Sequence, residues 1–357
     1  MTKPWKIGIA CHSFRTDGGM GRYVQDLTDG LLQLGFKPVI FTKKIDRTLP
    51  NADKVEFVHI NCKWLPSKLR DYYYNWRLGS LRREHGIDVM ISCNRNTHSD
   101  IGICGGTHLG FCRAMDRSMG YFDHRMVALE KEYYARCGLI VAHSNGMHKE
   151  LTDLYAIAEE KCPTIYPPVS AELFSRQVED TGPAIFEREE GRYYFVIPSA
   201  GDHKVKGLDI LMSYFARTEL PITLLVAGRP IDNPPKNVRH IGFRKDMPRV
   251  YRAVDFTVLS SRYEAFGLVG IESVLCGTPV VFSRSVCSAE VIDDEVKFVF
   301  DLNSFESFET SVKAAIARYG HRKIDDPVKH VHVTTSTKVH VETLLSTYER
   351  VTGLRRP

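Results

Sequence analysis

The chain has 357 residues, 43% hydrophobic and 25% charged, with a formal net charge of +5; this is long enough for two α/β domains with separate cores and ordinary for a globular protein. So modest a positive balance, without zinc-finger spacing, an aromatic RNP motif or a basic tract, argues against nucleic acid as a partner. No stretch approaches the roughly 18 apolar residues that span a bilayer, and the nine cysteines stand singly from Cys11 to Cys287 with no C-x-x-C pair, which predicts reduced thiols in a cytoplasm rather than disulfides or zinc.

The opening Met1-Thr-Lys-Pro-Trp-Lys-Ile-Gly8 runs straight into a strand and lacks the apolar core of a signal peptide. Lys6–Ala10 reads as a buried strand, and Gly21–Leu34 as a helix with Tyr23, Leu27, Leu31 and Leu34 at helical spacing and Gly35 where a C-cap would sit. Between them, Gly18-Gly-Met-Gly21 is not G-x-G-x-x-G, and no acidic residue stands where a nicotinamide ribose would need one; alone, the cluster also fits an ordinary strand-to-helix turn. Further strands are expected at Pro38–Thr42, Val55–His59, Asp88–Ser92 and Leu139–His143. This alternation predicts a mostly parallel sheet with helices on both faces.

Lys63–Arg83 carries six basic residues and one acid, interleaved with Trp64, Tyr72, Tyr73, Tyr74 and Trp76. That mixture suits a segment lying on an anionic membrane; a surface helix packing its aromatics on the sheet fits equally. Cys104-Gly-Gly-Thr-His-Leu-Gly110 puts His108 in a glycine-flanked loop after a strand, where a ligand-facing role competes with a merely structural one. The polar run Ser170–Arg192, with Gly182-Pro183, reads as a linker.

A second α/β series follows, with strands expected at Tyr193–Ile197, Ile222–Val226, Val238–Ile241, Phe256–Ser260 and Pro279–Phe282 and closing helices around 305–319 and 337–351. Two doubly wound domains bind ligands beyond the carboxyl ends of their strands. Lys206 ends the loop Ser199–Gly207, and its ammonium could stabilise a departing diphosphate. The run Glu264-Ala-Phe-Gly-Leu-Val-Gly-Ile-Glu272 is the most informative: a strand, a loop carrying one acid, a helix N-terminus and a second acid. Free N–H groups at such a terminus suit a diphosphate, a carboxylate further along can accept from a ribose diol, and the loop carboxylate lies near whatever the diphosphate carries. A buried helix with two incidental glutamates is the plain alternative.

This arrangement resembles the E-x7-E motif of the retaining glycosyltransferases of family 4, and the likeness covers nearly the whole chain; several bacterial lipopolysaccharide-core and mannosyl transferases look like this. The resemblance implies an α/β, GT-B architecture with two doubly wound Rossmann-like domains facing a central cleft. It divides the chain into an acceptor-binding domain at 1–170, a linker at 171–192, a nucleotide-sugar-binding domain at 193–336, and a last helix at 337–357 that returns to the first domain. It further implies Glu264, His108 and Lys206 as catalytic residues. Donor binding would fall to Gly19 and Gly21 of the G-G-x-G loop, Lys204, Lys206, Phe243, Arg244, Phe266, Gly267, Leu268 and Glu272. The family pairs its lysine with an arginine six residues earlier, and here that position is Ala200; either Lys204 takes its place or the second cation is missing.

By the same likeness the donor is a nucleotide-sugar, UDP-linked by expectation, and it is a substrate rather than a cofactor. The acceptor is lipid-linked or lipopolysaccharide-core glycan. No D-x-D stands where a metal-dependent transferase would need one, so no metal site is expected, with Lys206 and the helix N-terminus replacing a cation. A cytoplasmic protein follows, with 63–83 as its peripheral contact on the inner membrane face. The competing readings are a non-hydrolysing nucleotide-sugar epimerase and a degenerate, non-catalytic nucleotide-sugar-binding module.

Overall fold

The computed structural model describes residues 5–16, 18–178 and 180–355; residues 1–4, read above for a leader, lie outside them. The chain forms two compact units, Met1–Pro168 with Ser336–Pro357, and Val169–Thr335.

The first unit runs β1 (Ile7–Cys11), α1 (Gly19–Gln33), β2 (Val39–Thr42), β3 (Glu56–His59), α2 (Arg70–Glu84), β4 (Val89–Ser92), β5 (Ile101–Cys104), α3 (His108–Ala114), α4 (Tyr121–Arg136), β6 (Leu139–Ala142) and α5 (Asn145–Tyr155). Its sheet is parallel, in the order β3-β2-β1-β4-β5-β6. β1, β2, β4, β5 and β6 are buried at every position, as continuous apolar runs must be when helices cover both faces.

The second unit runs β7 (Tyr193–Ser199), α6 (Leu208–Arg217), β8 (Ile222–Gly228), β9 (Val238–His240), α7 (Met247–Ala253), β10 (Phe256–Leu259), α8 (Leu268–Leu275), β11 (Val280–Ser283), β12 (Lys297–Phe300) and α9 (Phe305–Tyr319). Its parallel order is β12-β11-β10-β7-β8-β9. Counted within its own unit, this repeats the first: the opening strand lies between the second and the fourth. In each unit the connections therefore leave in opposite directions from β1/β4 and from β7/β10, opening a crevice at the carboxyl ends of those pairs.

β12 escapes the sequence reading because it is an edge strand whose only fully buried residue is Phe300. Residues 171–192 pack with the second unit: Phe174 is buried, Arg252 bonds both oxygens of Asp180 at 2.9 and 2.7 Å, and Phe186 lies 4.8 Å from the Tyr194 ring. The final helix, α10 (Thr337–Thr352), belongs to the first unit. Its Val341, Leu344, Leu345 and Tyr348 share a core with Ile9, Leu27 and Leu31, each contributing about 1.5–3 kcal/mol by burial. Ser336 caps it by accepting from the Val339 N–H at 3.3 Å, and His340 Nε2 shares a 2.8 Å hydrogen bond with Tyr23 Oη across α1. All nine cysteines are free thiols, eight of them buried. Among the described residues no helix is long and apolar enough to cross a membrane.

Candidate active site

The crevice of the second unit is built by two loops, 200–207 after β7 and 260–267 after β10. Arg262 ties them together. Its N–H donates to Val205 O at 2.8 Å, Nη1 to Lys204 O at 2.5 Å, and its guanidinium forks onto Asp209 at 2.6 and 2.8 Å. That pairing holds the Asp209 carboxyl below its usual range, against burial that pushes the other way. Ser260 Oγ donates to Lys206 O at 2.8 Å. Gly207 adopts φ +65°, and a Cβ there would collide with the Ser260 carbonyl; glycine is what allows the two loops to touch.

The result is direct apposition of two residues 58 positions apart. Lys206 Nζ lies 2.5 Å from Glu264 Oε2, which also accepts from Ser261 Oγ at 3.0 Å. The pair is partly open to solvent, Lys206 at 28% and Glu264 at 18% side-chain exposure. A short parallel bridge from Glu264 to Val286 fixes the backbone beneath it.

Immediately downstream, Gly267 takes φ +96° as the N-cap of α8, and Leu268 begins the helix. Phe266 is buried, and its carbonyl accepts from Ser288 N–H at 2.6 Å. No side chain caps this helix, so its first N–H groups remain suited to an anion. Glu272 stands in the second turn, 6% exposed, with Tyr251 Oη donating to its Oε2 at 3.2 Å. Gly270 leaves no room for a side chain against the Phe282 ring, Cε1 of which a Cβ would meet at 2.9 Å.

Lys204 is exposed and enters no ion pair among the described residues. Ala200 is exposed too, and Arg229, on the loop after β8, donates its backbone N–H to the adjoining Ser199 O at 3.1 Å. The sequence contains no hint of that neighbour, because parallel pairing of β7 with β8 is what brings it there. Phe243 and Arg244 follow the edge strand β9; Phe243 is exposed and Arg244 forks onto Asp246 at 2.9 and 2.6 Å.

The remaining candidates lie in the first unit. Gly19 and Gly21 form the first turn of α1, after Gly18 at φ +85°. His108 is not in a loop; it is the first residue of α3, because Thr107 caps that helix by accepting from Gly110 N–H at 3.0 Å. His108 Nε2 donates to Asp123 Oδ1 at 2.8 Å. Asp123 also accepts from Gly120 N–H at 2.9 Å and from Arg117, and these bonds, that of Gly120 foremost, hold its carboxyl below the usual range. The donor atoms of His108, Cys112 and Asp123 fall within 4.8 Å of one another, the spacing of a metal-ligand set. In this structure Asp123 accepts from Gly120, His108 and Arg117. Beneath it the fully buried Glu130 accepts from the His108 backbone N–H at 2.9 and 3.0 Å and from Arg95 Nε at 2.5 Å. Glu130 goes unnoticed in the sequence because it sits in a charged helical run, Glu130-Lys-Glu132, where solvation is the ordinary expectation.

The comparisons with known proteins agree with this construction. Residues 17–173 match Glycosyltransferase Family 4, and residues 193–318 match Glycosyl transferases group 1. A probable transglycosylase of Burkholderia thailandensis is 40% identical over 296 residues, 82% of either chain. The crystal structure of WaaG, a glycosyltransferase involved in lipopolysaccharide biosynthesis, superposes with a TM-score of 0.75 at 15% identity, covering 98% of this chain and 100% of that one. Anabaena HepE in complex with UDP and glucose gives a TM-score of 0.66 at 15% identity over 98% of each chain. Two parallel sheets of repeated order, a lysine–glutamate pair before an uncapped helix, and these matches lead to one conclusion: the chain is a glycosyltransferase of family 4, with the GT-B fold.

Proposed function

We propose that this enzyme is a retaining, metal-independent hexosyltransferase that moves a sugar from UDP to a cell-envelope glycan, with lipopolysaccharide core as the acceptor. The single observation that carries the reading is the Lys206–Glu264 pair, 2.5 Å apart, directly upstream of the α8 N-terminus. An ammonium and the positive end of the α8 dipole, which no side chain caps, supply the positive charge that a departing diphosphate needs. Glu264 stands beside the sugar and stabilises cationic character at the anomeric carbon. The acceptor oxygen bonds that carbon on the face from which the diphosphate leaves, and the leaving phosphate takes the acceptor proton. Glu272 accepts from the ribose hydroxyls. UDP as donor base is supported by HepE, which holds UDP and glucose on this fold, and the acceptor class by WaaG.

A peripheral membrane contact belongs to the same proposal. Trp64 and Trp76 are 66% and 63% exposed, and Tyr72 meets Arg125 of α4, whose guanidinium lies 5.8 Å from its ring; Tyr121 and Phe122 at the start of α4 are also exposed. Tyr74 faces inward, donating to Phe41 O at 2.8 Å. Arg82, one of the charges in this run, bonds His98 O at 2.9 Å and Asp100 at 2.7 Å inside the fold, so the surface is made by Arg70, Arg77 and Arg83 with the outward aromatics, a composition suited to anionic lipid headgroups.

The test is a thermal-shift screen of the purified protein against UDP, GDP, ADP and CMP and their sugars, with Glu272→Ala in parallel. Stabilisation by UDP and its sugars that the variant loses is the expected result. Stabilisation by another base would overturn the UDP assignment, and equal stabilisation of the variant would overturn the site.

A further inference from the structure

The first unit holds a second concentration of positive charge, separate from the Lys206–Glu264 site. Arg15, Lys43, Lys44, Arg47, His59 and Lys63 line a concavity of about 560 Å³, within the size range of small-molecule sites. They arrive from three adjacent strands: Arg15 from the loop after β1, Lys43, Lys44 and Arg47 from the loop after β2, and His59 and Lys63 from the end of β3. All therefore gather at the carboxyl edge of one parallel sheet, where α/β folds take their ligands.

The walls are held by the fold. Lys43 Nζ pairs with Asp71 Oδ1 at 2.6 Å, His59 Nε2 donates to Lys43 O at 3.1 Å, and the Arg47 guanidinium lies 5.3 Å from the Phe57 ring centre. Arg15, Lys44 and Lys63 are exposed and have no carboxylate partner among the described residues. Among the described residues, carboxylate pairing of the five permanent cations is confined to Lys43 with Asp71. Like charges in one concavity repel, and a field of a single sign focuses oppositely charged ligands into it. Lysine and arginine together are the donors that phosphoryl oxygens take best. One phosphate dianion would neutralise two of the four remaining charges, so two phosphoryl groups match the set.

We propose that this concavity binds a sugar bearing two or more phosphoryl groups, and that such a sugar is the end of the acceptor glycan. Its description as a sugar and as acceptor rests on the transferase reading; the site for phosphoryl groups follows from the residues that line it.

The test is calorimetric titration of the full chain with fructose 1,6-bisphosphate, with fructose and inorganic phosphate as separate arms. Saturable binding of the bisphosphate, no binding of fructose and far weaker binding of inorganic phosphate are expected. Lys44→Gln with Lys63→Gln, two exposed positions whose replacement leaves the core untouched, should weaken the bisphosphate by roughly a hundredfold, about tenfold for each charge-assisted bond lost. Unchanged affinity in that variant would overturn the site. Equal affinity for inorganic phosphate would reduce it to a general anion trap and refute the sugar assignment. Loss of binding in Lys206→Met would put the anion in the second unit and also refute it. UDP is titrated alongside: failure of UDP with the bisphosphate intact counts against the donor reading alone, and the reverse counts against this site alone.

Discussion

Gly207→Ala probes whether the crevice of the second unit depends on its two loops touching. In the wild type Gly207 adopts φ +65°, and an added Cβ would lie 3.0 Å from the Ser260 carbonyl carbon, 3.3 Å from Ser260 Oγ and closer still to the carbonyl oxygen. A left-handed alanine costs roughly 1–2 kcal/mol. The neighbour is backbone at the end of β10 and cannot swing away as a side chain would, so crowding adds about 1–3 kcal/mol. The sum is about 2–5 kcal/mol, or roughly a 4–20 °C fall in the melting temperature of a unit this size. Strain is relieved by parting the loops, which separates Lys206 from Glu264 and breaks the bond from Ser260 Oγ to Lys206 O. Calorimetry with and without UDP reads both effects, and stabilisation by UDP should shrink with the melting temperature. A loss under about 1 kcal/mol with full UDP stabilisation would refute the argument.

Other perturbations test separate links. Lys206→Met should lower turnover by roughly 10²–10³-fold while changing stability by about 1 kcal/mol or less, since the Lys206–Glu264 pair is partly solvated; turnover within tenfold of wild type would remove Lys206 from the chemistry. Burial keeps His143 and His340 neutral, pushed down to about 3 and about 4 from 6.5. Because their folded values lie below the unfolded one, their contribution is present above pH 6.5 and is lost as pH falls toward 4. Going from pH 7 to 5 should cost roughly 2 kcal/mol for each, measured as a denaturant midpoint; a flat profile over that range contradicts it, and His340→Gln should lose about half the slope. Replacing Trp64, Trp76, Tyr121 and Phe122 by serine should abolish cosedimentation with phosphatidylserine-containing vesicles, and retained binding would exclude this face as the contact. Arg262→Gln should lower the melting temperature and UDP stabilisation together, because one side chain joins the two loops; loss of neither would show the loops to be held elsewhere.

Much of this protein can be read from the chain because its signals are local. Unbroken apolar runs such as Val89–Ser92 and Leu139–Ala142 announce strands covered on both faces, and their alternation with helical periodicity implies the doubly wound order. Glu264 and Glu272 flank a helix start within nine residues, so their shared element needs no tertiary knowledge. Long-range pairings had no such signature. Arg262 looks like one more surface charge until β7 and β10 bring it beside Val205 and Asp209. Glu130 reads as solvated until the fold buries it under His108, and Arg82 reads as a membrane-facing charge until Asp100 and His98 claim it. His108 itself lies in a helix rather than a loop because a threonine cap outweighs the two glycines before it. Local propensity and periodicity are properties of neighbours along the chain; partnerships of charged side chains depend on which strands lie side by side, and that is decided only when the sheets assemble.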